Sequence, residues 1–135
     1  QFDDDGRLVI VACRKDSFLY VYDVRKSRDL LMKLRRSKER STNQRIGFDI
    51  RGSHVISGTG TCSSVCLFDT KRSGKELSPI STRSGFCDVV SDVRFHPYDK
   101  NMFGVVTGQR HFCDDDGDDD DDEELTCRNR LQVFR

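Results

Sequence analysis

A motif made of one aromatic residue, a polar turn and an apolar strand occurs three times in this chain of 135 residues. The copies begin at Phe2 (FDDDGRLVIVA), Phe48 (FDIRGSHVISG) and Phe95 (FHPYDKNMFGVVTG), so they are 46 and 47 residues apart. A second motif repeats in phase, because FLYVYD ends at Asp23 and VCLFD ends 46 residues later at Asp69. A fixed period of about 20 to 50 residues is typical of folds built from one repeated structural unit.

The segments between these landmarks are typical of short β-strands joined by turns. The second unit contains four such segments: RIGFDI, HVISG, SVCLFD and ELSPIST. The third unit supplies VVSDVRF and MFGVVTG. In the first unit LVIVAC is apolar on both faces, as expected of a central strand covered by neighbouring sheets, and LLMKLRRS fits an outer strand or a short helix.

Four antiparallel strands in a unit of this length are typical of a β-propeller blade. Asp23 and Asp69 each follow an aromatic residue where such repeats commonly carry Trp-Asp, and Asp16 stands at the position of the usual turn aspartate, where the second unit has GTC. We therefore expect an all-β fold class: part of a WD-repeat β-propeller, two blades plus an incomplete third, from the C-terminal part of a longer chain. The predicted blades are residues 1–40, with a truncated first strand, 41–86 and 87–135.

Ten acidic residues lie between Asp114 and Glu124. After this acid run, RLQVFR alternates like a strand and places Val133 and Phe134 where the earlier units have the end of their third strand. We therefore interpret residues 114–124 as a disordered loop between the second and third strands of the last blade. Such an insertion is tolerable because loop closure entropy grows only logarithmically with length, and like charges keep the segment extended.

Outside the acid run the chain is basic. The chain has 23 Lys and Arg against 23 Asp and Glu, so without the ten acids of the run its net charge is about +10. A basic body admits a polyanionic partner. Hydrophobic residues make up 35% of the chain and charged residues 34%, which suits small sheets with much exposed surface. The sequence has no apolar run long enough to span a membrane.

Six cysteines and three histidines raise the question of a metal site or an active site. No C-x-x-C pair occurs, and the close pair Cys62 and Cys66 lacks two further ligands. We interpret the cysteines as reduced thiols of an intracellular protein, with Cys13, Cys62 and Cys66 in or beside apolar strands as small core residues. The histidines lack a neighbouring nucleophile and orienting acid. We expect no enzyme, no metal, no cofactor and no small-molecule substrate.

The chain resembles a known family, most densely from Ser41 onward. The stretch STNQRIGFDIRGSHVISGTGTCSSVCLFDT, from Ser41, is followed by DVRFHP, VVTGQRHF, the acid run and NRLQVFR. In this order the chain resembles the C-terminal blades of the WD-repeat telomerase Cajal body protein family over essentially its whole length. It departs from the family in lacking Trp, in having Phe68 and Phe134 as aromatic partners, and in having Thr107 where Ser is usual.

The resemblance implies a non-catalytic, RNA-binding scaffold of the nucleus and its Cajal bodies. The family recognises a short box in small Cajal-body RNAs of the H/ACA type and in telomerase RNA, and directs these particles to Cajal bodies in support of telomerase trafficking and telomere maintenance. The implied partners are small nuclear RNA of the H/ACA type, telomerase RNA and ribonucleoprotein proteins, with no membrane.

The peptides that carry the resemblance also supply the candidate RNA-binding residues. Asn43, Gln44 and Arg45 precede the first strand of the second blade, and Gln109 and Arg110 follow the second strand of the third. Arginine and amide side chains suit the base edges and phosphates of unpaired RNA. The alternative role for these residues is to form hydrogen bonds between blades and fix the strand ends.

Two further features have a functional and a structural interpretation. The densest basic stretch, from Arg25 to Arg40, supplies phosphate attraction or else keeps an exposed outer strand soluble. The aromatic residues Phe18, Tyr20 and Tyr22 alternate with aliphatic ones, which favours core packing over base stacking. For the chain as a whole, the alternative to an RNA-binding scaffold is a protein-interaction WD-repeat adaptor without RNA binding.

Overall fold

A computed structural model describes residues 1–26, 28–36, 44–59, 63–86, 88–108 and 130–135. Within these ranges the regular structure is almost entirely β, with one short 3₁₀ helix at Val24–Lys26. The strands are β1 (Leu8–Ala12), β2 (Phe18–Asp23), β3 (Leu30–Arg35), β4 (Phe48–Arg51), β5 (His54–Gly58), β6 (Val65–Asp69), β7 (Glu76–Leu77), β8 (Ser81–Arg83), β9 (Val90–Phe95), β10 (Phe103–Thr107) and β11 (Arg130–Phe134).

The strands form three sheets, which follow the three units of the repeat except that β7 of the second unit joins the first sheet. The first sheet has the order β1-β2-β3-β7, the second β4-β5-β6-β8 and the third β11-β10-β9. All pairs are antiparallel except β3 with β7. The predicted boundaries between blades, at 40/41 and 86/87, fall within or beside residues that the structure does not describe and stay predictions.

The second sheet is packed on both faces, because its buried residues alternate between two cores. Val55 and Phe68 join the core shared with the first sheet. Ile56 and Val65 join the core shared with the third sheet. Successive strand residues point to opposite faces, so adjacent apolar residues such as Val55 and Ile56 in β5 are what a sheet between two neighbours requires.

The first sheet departs from the expectation of a strand covered on both faces. In β1, Ile10 is buried but Val11 is 41% exposed, since one face packs on the second sheet and the other meets solvent. In β2 the aliphatic residues Leu19 and Val21 are fully buried, and the aromatic residues between them are only half-buried. The core-packing interpretation of Phe18, Tyr20 and Tyr22 is corrected accordingly: the aliphatic partners form the core.

The segment ELSPIST does not form one strand. Its first part, β7, pairs in parallel with β3 of the first sheet, with Glu76 opposite Lys33 and Leu77 opposite Leu34. Its last part, β8, pairs with β6 of the second sheet. Pro79 lies between the two parts, and proline lacks the N–H that a continuous ladder requires. The predicted outer segment LLMKLR is a strand, β3, and β7 covers its edge.

The third sheet confirms the predicted pairing across the acid run. β11 is antiparallel to β10, with Phe134 opposite Phe103 and Arg130 opposite Thr107. The predicted loop, residues 114–124, lies outside the described residues. The five residues of β11 are therefore part of the same sheet as β9 and β10.

Asp16 closes the turn between β1 and β2, as expected of the turn aspartate. Its carboxylate accepts hydrogen bonds from the Phe18 N–H at 3.0 Å and from the Tyr20 hydroxyl at 2.8 Å. The latter bond is the main reason that the pKa of Tyr20 is raised above its usual value. In the second unit, where the GTC residues are outside the described ranges, the Thr59 N–H donates to the Ser64 carbonyl at 2.8 Å and the Ser64 N–H donates to the Thr59 hydroxyl at 3.2 Å.

Candidate nucleic-acid interface

A pocket of about 590 Å³ lies where the three sheets meet. One wall is strand β1 with the turn after it, a second is the segment that leads into β4, and a third is strand β9. The pocket is lined by four arginines, Arg14, Arg36, Arg45 and Arg94, and by one carboxylate, Asp92. An arginine-rich concavity of this kind is chemically suited to an anionic ligand.

The segment leading into β4 places Arg45 at this pocket. Ile46 is buried, and the Gly47 N–H donates to the Ser91 carbonyl at 2.8 Å, which fixes the chain against β9. A Cβ at Gly47 would lie 1.8 Å from the Asp92 Oδ1, so only glycine permits this approach. Arg45 itself is exposed on the pocket wall.

Arg36 contributes a buried positive charge. It follows β3, is only 6% exposed, and its Nη2 donates to the Asp16 carbonyl at 2.5 Å. Burial lowers the pKa of Arg36, and the Asp16 carboxylate opposes that shift. Because a guanidinium starts from so high a pKa, Arg36 stays a cation at neutral pH.

The positive charge of the pocket is only partly neutralised. Arg94 Nε lies 3.3 Å from the Asp92 carboxylate, and its Nη1 lies 3.6 Å from Asp49. Within the described ranges, Arg14 and Arg45 make no ion pair. Asp92 is therefore paired with Arg94, and the other three arginines leave an excess of positive charge.

The structure brings together two of the five predicted RNA-binding residues. Gln44 and Arg45 both line the pocket, Gln44 half-buried and Arg45 exposed. Asn43, Gln109 and Arg110 lie outside the described residues.

Sequence reasoning missed Arg14 and did not single out Arg36. Arg14 lies in the turn between β1 and β2, and Arg36 follows the third strand of the same sheet. In an antiparallel sheet these two connections occur at one edge, together with the segment that enters the next sheet. Arg14 and Arg36 could have been predicted to lie at this edge only from the strand order, because no local motif marks them.

The basic stretch from Arg25 to Arg40 does not form one surface. Arg25 pairs with Asp23 at 2.7 Å, and Arg35 pairs with Glu76 of β7. Lys33 lies over the ring of Phe18, with its Nζ 5.7 Å from the centroid. Of this stretch, only Arg36 lines the arginine pocket, while Lys38 and Arg40 are outside the described residues.

The cysteines are partly as expected. Cys66 is buried, as expected of a core residue, but Cys13 is exposed, which corrects its assignment to the core. Cys62, Cys87, Cys113 and Cys127 lie outside the described residues. In the part of the chain that the structure describes, no three His, Cys, Asp or Glu side chains are grouped as metal ligands, and no helix could cross a membrane.

Several curated proteins are similar to this chain, although no protein-family model matches it. Telomerase Cajal body protein 1 of Rattus norvegicus is 34% identical over 116 residues, which are 82% of this chain and 21% of the relative. The human and Bos taurus proteins of the same name are 34% and 33% identical over 115 residues. This chain spans about a fifth of the length of these relatives.

Solved structures with a similar fold are β-propellers. The Myceliophteria thermophila Cps50 (Swd1) β-propeller domain superposes with a TM-score of 0.58 at 17% identity, covering 79% of this chain and 31% of that one. Kluyvelomyces marxianus Hsv2 superposes with a TM-score of 0.60 at 11% identity, covering 79% of this chain and 35% of that one. At such low identity these structures establish the fold alone, which is the predicted WD-repeat β-propeller. With 34% identity over 82% of its length and with this fold, the chain is a WD-repeat homologue of the proteins named telomerase Cajal body protein 1.

Proposed function

We propose that this chain is part of a non-catalytic, RNA-binding scaffold of the nucleus that acts at Cajal bodies. Its proposed ligands are small Cajal-body RNAs of the H/ACA type and telomerase RNA, and its proposed role is to direct their particles to Cajal bodies with other ribonucleoprotein proteins. The name of the curated relatives supports the link to telomerase and Cajal bodies. This role in trafficking requires binding only, with no reaction at the site.

The observation that carries the proposal is the arginine pocket. Arg45, which the sequence singled out for RNA binding, shares this pocket with Arg14 and Arg36. Guanidinium groups bind phosphates through paired hydrogen bonds, and they also stack on unpaired bases. The half-buried Gln44 adds an amide of the kind that recognises base edges.

The proposal is tested by recovering the RNA crosslinked to the full-length protein in cells. We expect enrichment of H/ACA-type small RNAs, and we expect Arg45→Ala combined with Arg110→Ala to reduce that RNA without lowering protein abundance. The matched control is Arg72→Ala: Arg72 is exposed in the connection after β6, at the opposite edge of the sheets from the pocket. It should leave RNA recovery unchanged.

Two outcomes would contradict the proposal. Recovery of background RNA only by the unsubstituted protein would favour the protein-interaction adaptor. Loss of protein abundance in the Arg45 and Arg110 variant, with the recovered RNA per molecule unchanged, would assign these residues to hydrogen bonds between blades.

A further inference from the structure

We infer that Arg14, Arg36 and Arg45 form a subsite for the phosphodiester backbone of the bound RNA, which anchors the strand independently of its base sequence. This inference rests on the proposed function and assigns two residues, Arg14 and Arg36, that the family resemblance did not indicate. It divides the edge of the sheets into a pocket that holds phosphate and neighbouring residues that are left to contact bases.

The pocket carries more positive than negative charge. Asp92, the one carboxylate of the pocket lining, is engaged by Arg94 at 3.3 Å. Arg14 and Arg45 are exposed and make no ion pair with any described residue. Cations that outnumber the acidic groups around a concavity attract a polyanion and release its counterions on binding.

Arg36 adds a buried cation to this excess of positive charge. A guanidinium carries five N–H donors, and the described contacts of the Arg36 side chain include one, from Nη2 to the Asp16 carbonyl. An anion stabilises a buried cation more than an exposed one, because the dielectric constant around a buried charge is lower. Burial depresses the pKa of Arg36, which agrees with a cation whose charge is not fully compensated in the free protein.

The lining side chains differ in the part of RNA that they suit. The exposed aliphatic side chain of Val11 in β1 offers no hydrogen bond to a base. Guanidinium groups suit the phosphates that repeat along any RNA strand, whereas the amide of Gln44, which also lines the pocket, suits a base edge. The arginines are therefore assigned to the backbone, and Gln44 to a base contact.

The test is the salt dependence of RNA binding by the full-length protein, measured by fluorescence anisotropy. One labelled RNA is an H/ACA-type small Cajal-body RNA, and a second carries the same nucleotides in scrambled order. The logarithm of the binding constant K falls linearly as log salt concentration rises. For a single strand, each lost phosphate contact makes this decline less steep by about 0.7. The double variant Arg14→Gln with Arg45→Gln should therefore make the decline less steep by about 1.4.

The same double variant should weaken binding of both RNAs by a similar factor, roughly tenfold or more at low salt. Arg36→Lys keeps the charge, so it should retain the salt slope, but it should weaken binding roughly tenfold because lysine lacks the guanidinium fork. Arg72→Gln, at the opposite edge, should change neither quantity. Urea unfolding of each variant checks that the fold is retained.

The outcomes separate this inference from the proposed function. If the protein binds RNA but the double variant keeps the original slope, the phosphate subsite is wrong and the proposed function stands. A loss confined to the unscrambled RNA would make Arg14 and Arg45 base contacts, which also overturns the inference. Unchanged affinity in Arg36→Lys would remove Arg36 from the subsite, and absence of RNA binding by the unsubstituted protein would overturn the proposed function itself.

Discussion

The guanidinium of Arg51 lies 4.4 Å from the centroid of the Phe95 ring and joins the second sheet to the third. Its Nη1 donates to the carbonyl oxygens of His96 and Asp99, at 3.1 Å each, and its Nη2 donates to the Lys100 carbonyl. One side chain from the end of β4 thus satisfies three carbonyls in the turn between β9 and β10. Buried or half-buried carbonyls need such partners.

Replacing Arg51 by methionine should destabilise the protein by about 2 kcal/mol. The substitution removes charge-assisted hydrogen bonds to three carbonyls and the cation–π contact with Phe95, while it keeps an unbranched side chain of similar length. The measurement is the free energy of unfolding in urea. Arg72→Met is the matched control, because Arg72 is exposed and its side chain has no described partner; equal losses in both variants would contradict the assigned role of Arg51.

The last residue of β5, Gly58, should not tolerate alanine. A Cβ at Gly58 would lie 2.7 Å from the Val90 carbonyl oxygen and 2.8 Å from a Val90 methyl carbon, and the Val90 side chain is itself fully buried. We expect Gly58→Ala to cost about 1 to 3 kcal/mol through overpacking.

Gly104→Ala provides the control for that substitution. Gly104 is also a strand glycine, but a Cβ there would meet nothing closer than 3.9 Å. The alanine should be neutral or slightly stabilising, since it restricts the unfolded chain. Equal unfolding midpoints in urea for the two variants would show that the second and third sheets are less closely packed than described.

Asp23, at the end of β2, should make stability depend on acidic pH. Its carboxylate accepts hydrogen bonds from Arg25, both side chain and backbone N–H, which lower the pKa of Asp23 to about 2 from its usual 3.8. A folded-state pKa below the unfolded value adds stability above the unfolded pKa, and this stability is lost as pH falls through the folded pKa. The loss therefore falls between about pH 4 and pH 2.

Asp23→Asn should accordingly flatten the decline of the unfolding midpoint over this acidic range. The control is Asp5→Asn, because Asp5 is exposed in the turn before β1 and no contact of its side chain is described. A decline as steep in Asp23→Asn as in the unsubstituted protein would show that the Arg25 interaction is absent in solution.

Removing the acid run should leave the fold intact, whereas removing β11 should not. β11 forms a five-residue ladder with β10, and Phe134 stacks on Phe103 with ring centroids 5.3 Å apart. We expect deletion of residues 114–124 to change the free energy of unfolding by less than about 1 kcal/mol, since loop closure depends weakly on length. Deletion of residues 130–135 should lower it by several times that amount, and the opposite order would contradict the hairpin.

The repeat predicted most of the fold because each unit carries its strands and turns in local sequence. The same spacing is found in a contact between sheets that the sequence analysis did not predict: the Phe95 N–H donates to Asp49 at 2.9 Å across 46 residues. β7 could not be anticipated in this way, because Glu76 and Leu77 pair with a strand more than 40 positions earlier and no local pattern encodes that partner. The side chains around the arginine pocket were also only partly predictable, since Arg14 and Arg36 meet Arg45 through strand order.

The parallel pairing of β7 with β3 means that the repeats cannot be exchanged as independent modules. Leu77 fills the core shared by the first and second sheets, and Glu76 neutralises Arg35 on the first sheet. A chimaera that replaced the second unit by a foreign blade would leave the preceding blade without its edge strand, even though no residue of that blade had been altered. Swapping experiments in this family should therefore move adjacent units as a pair.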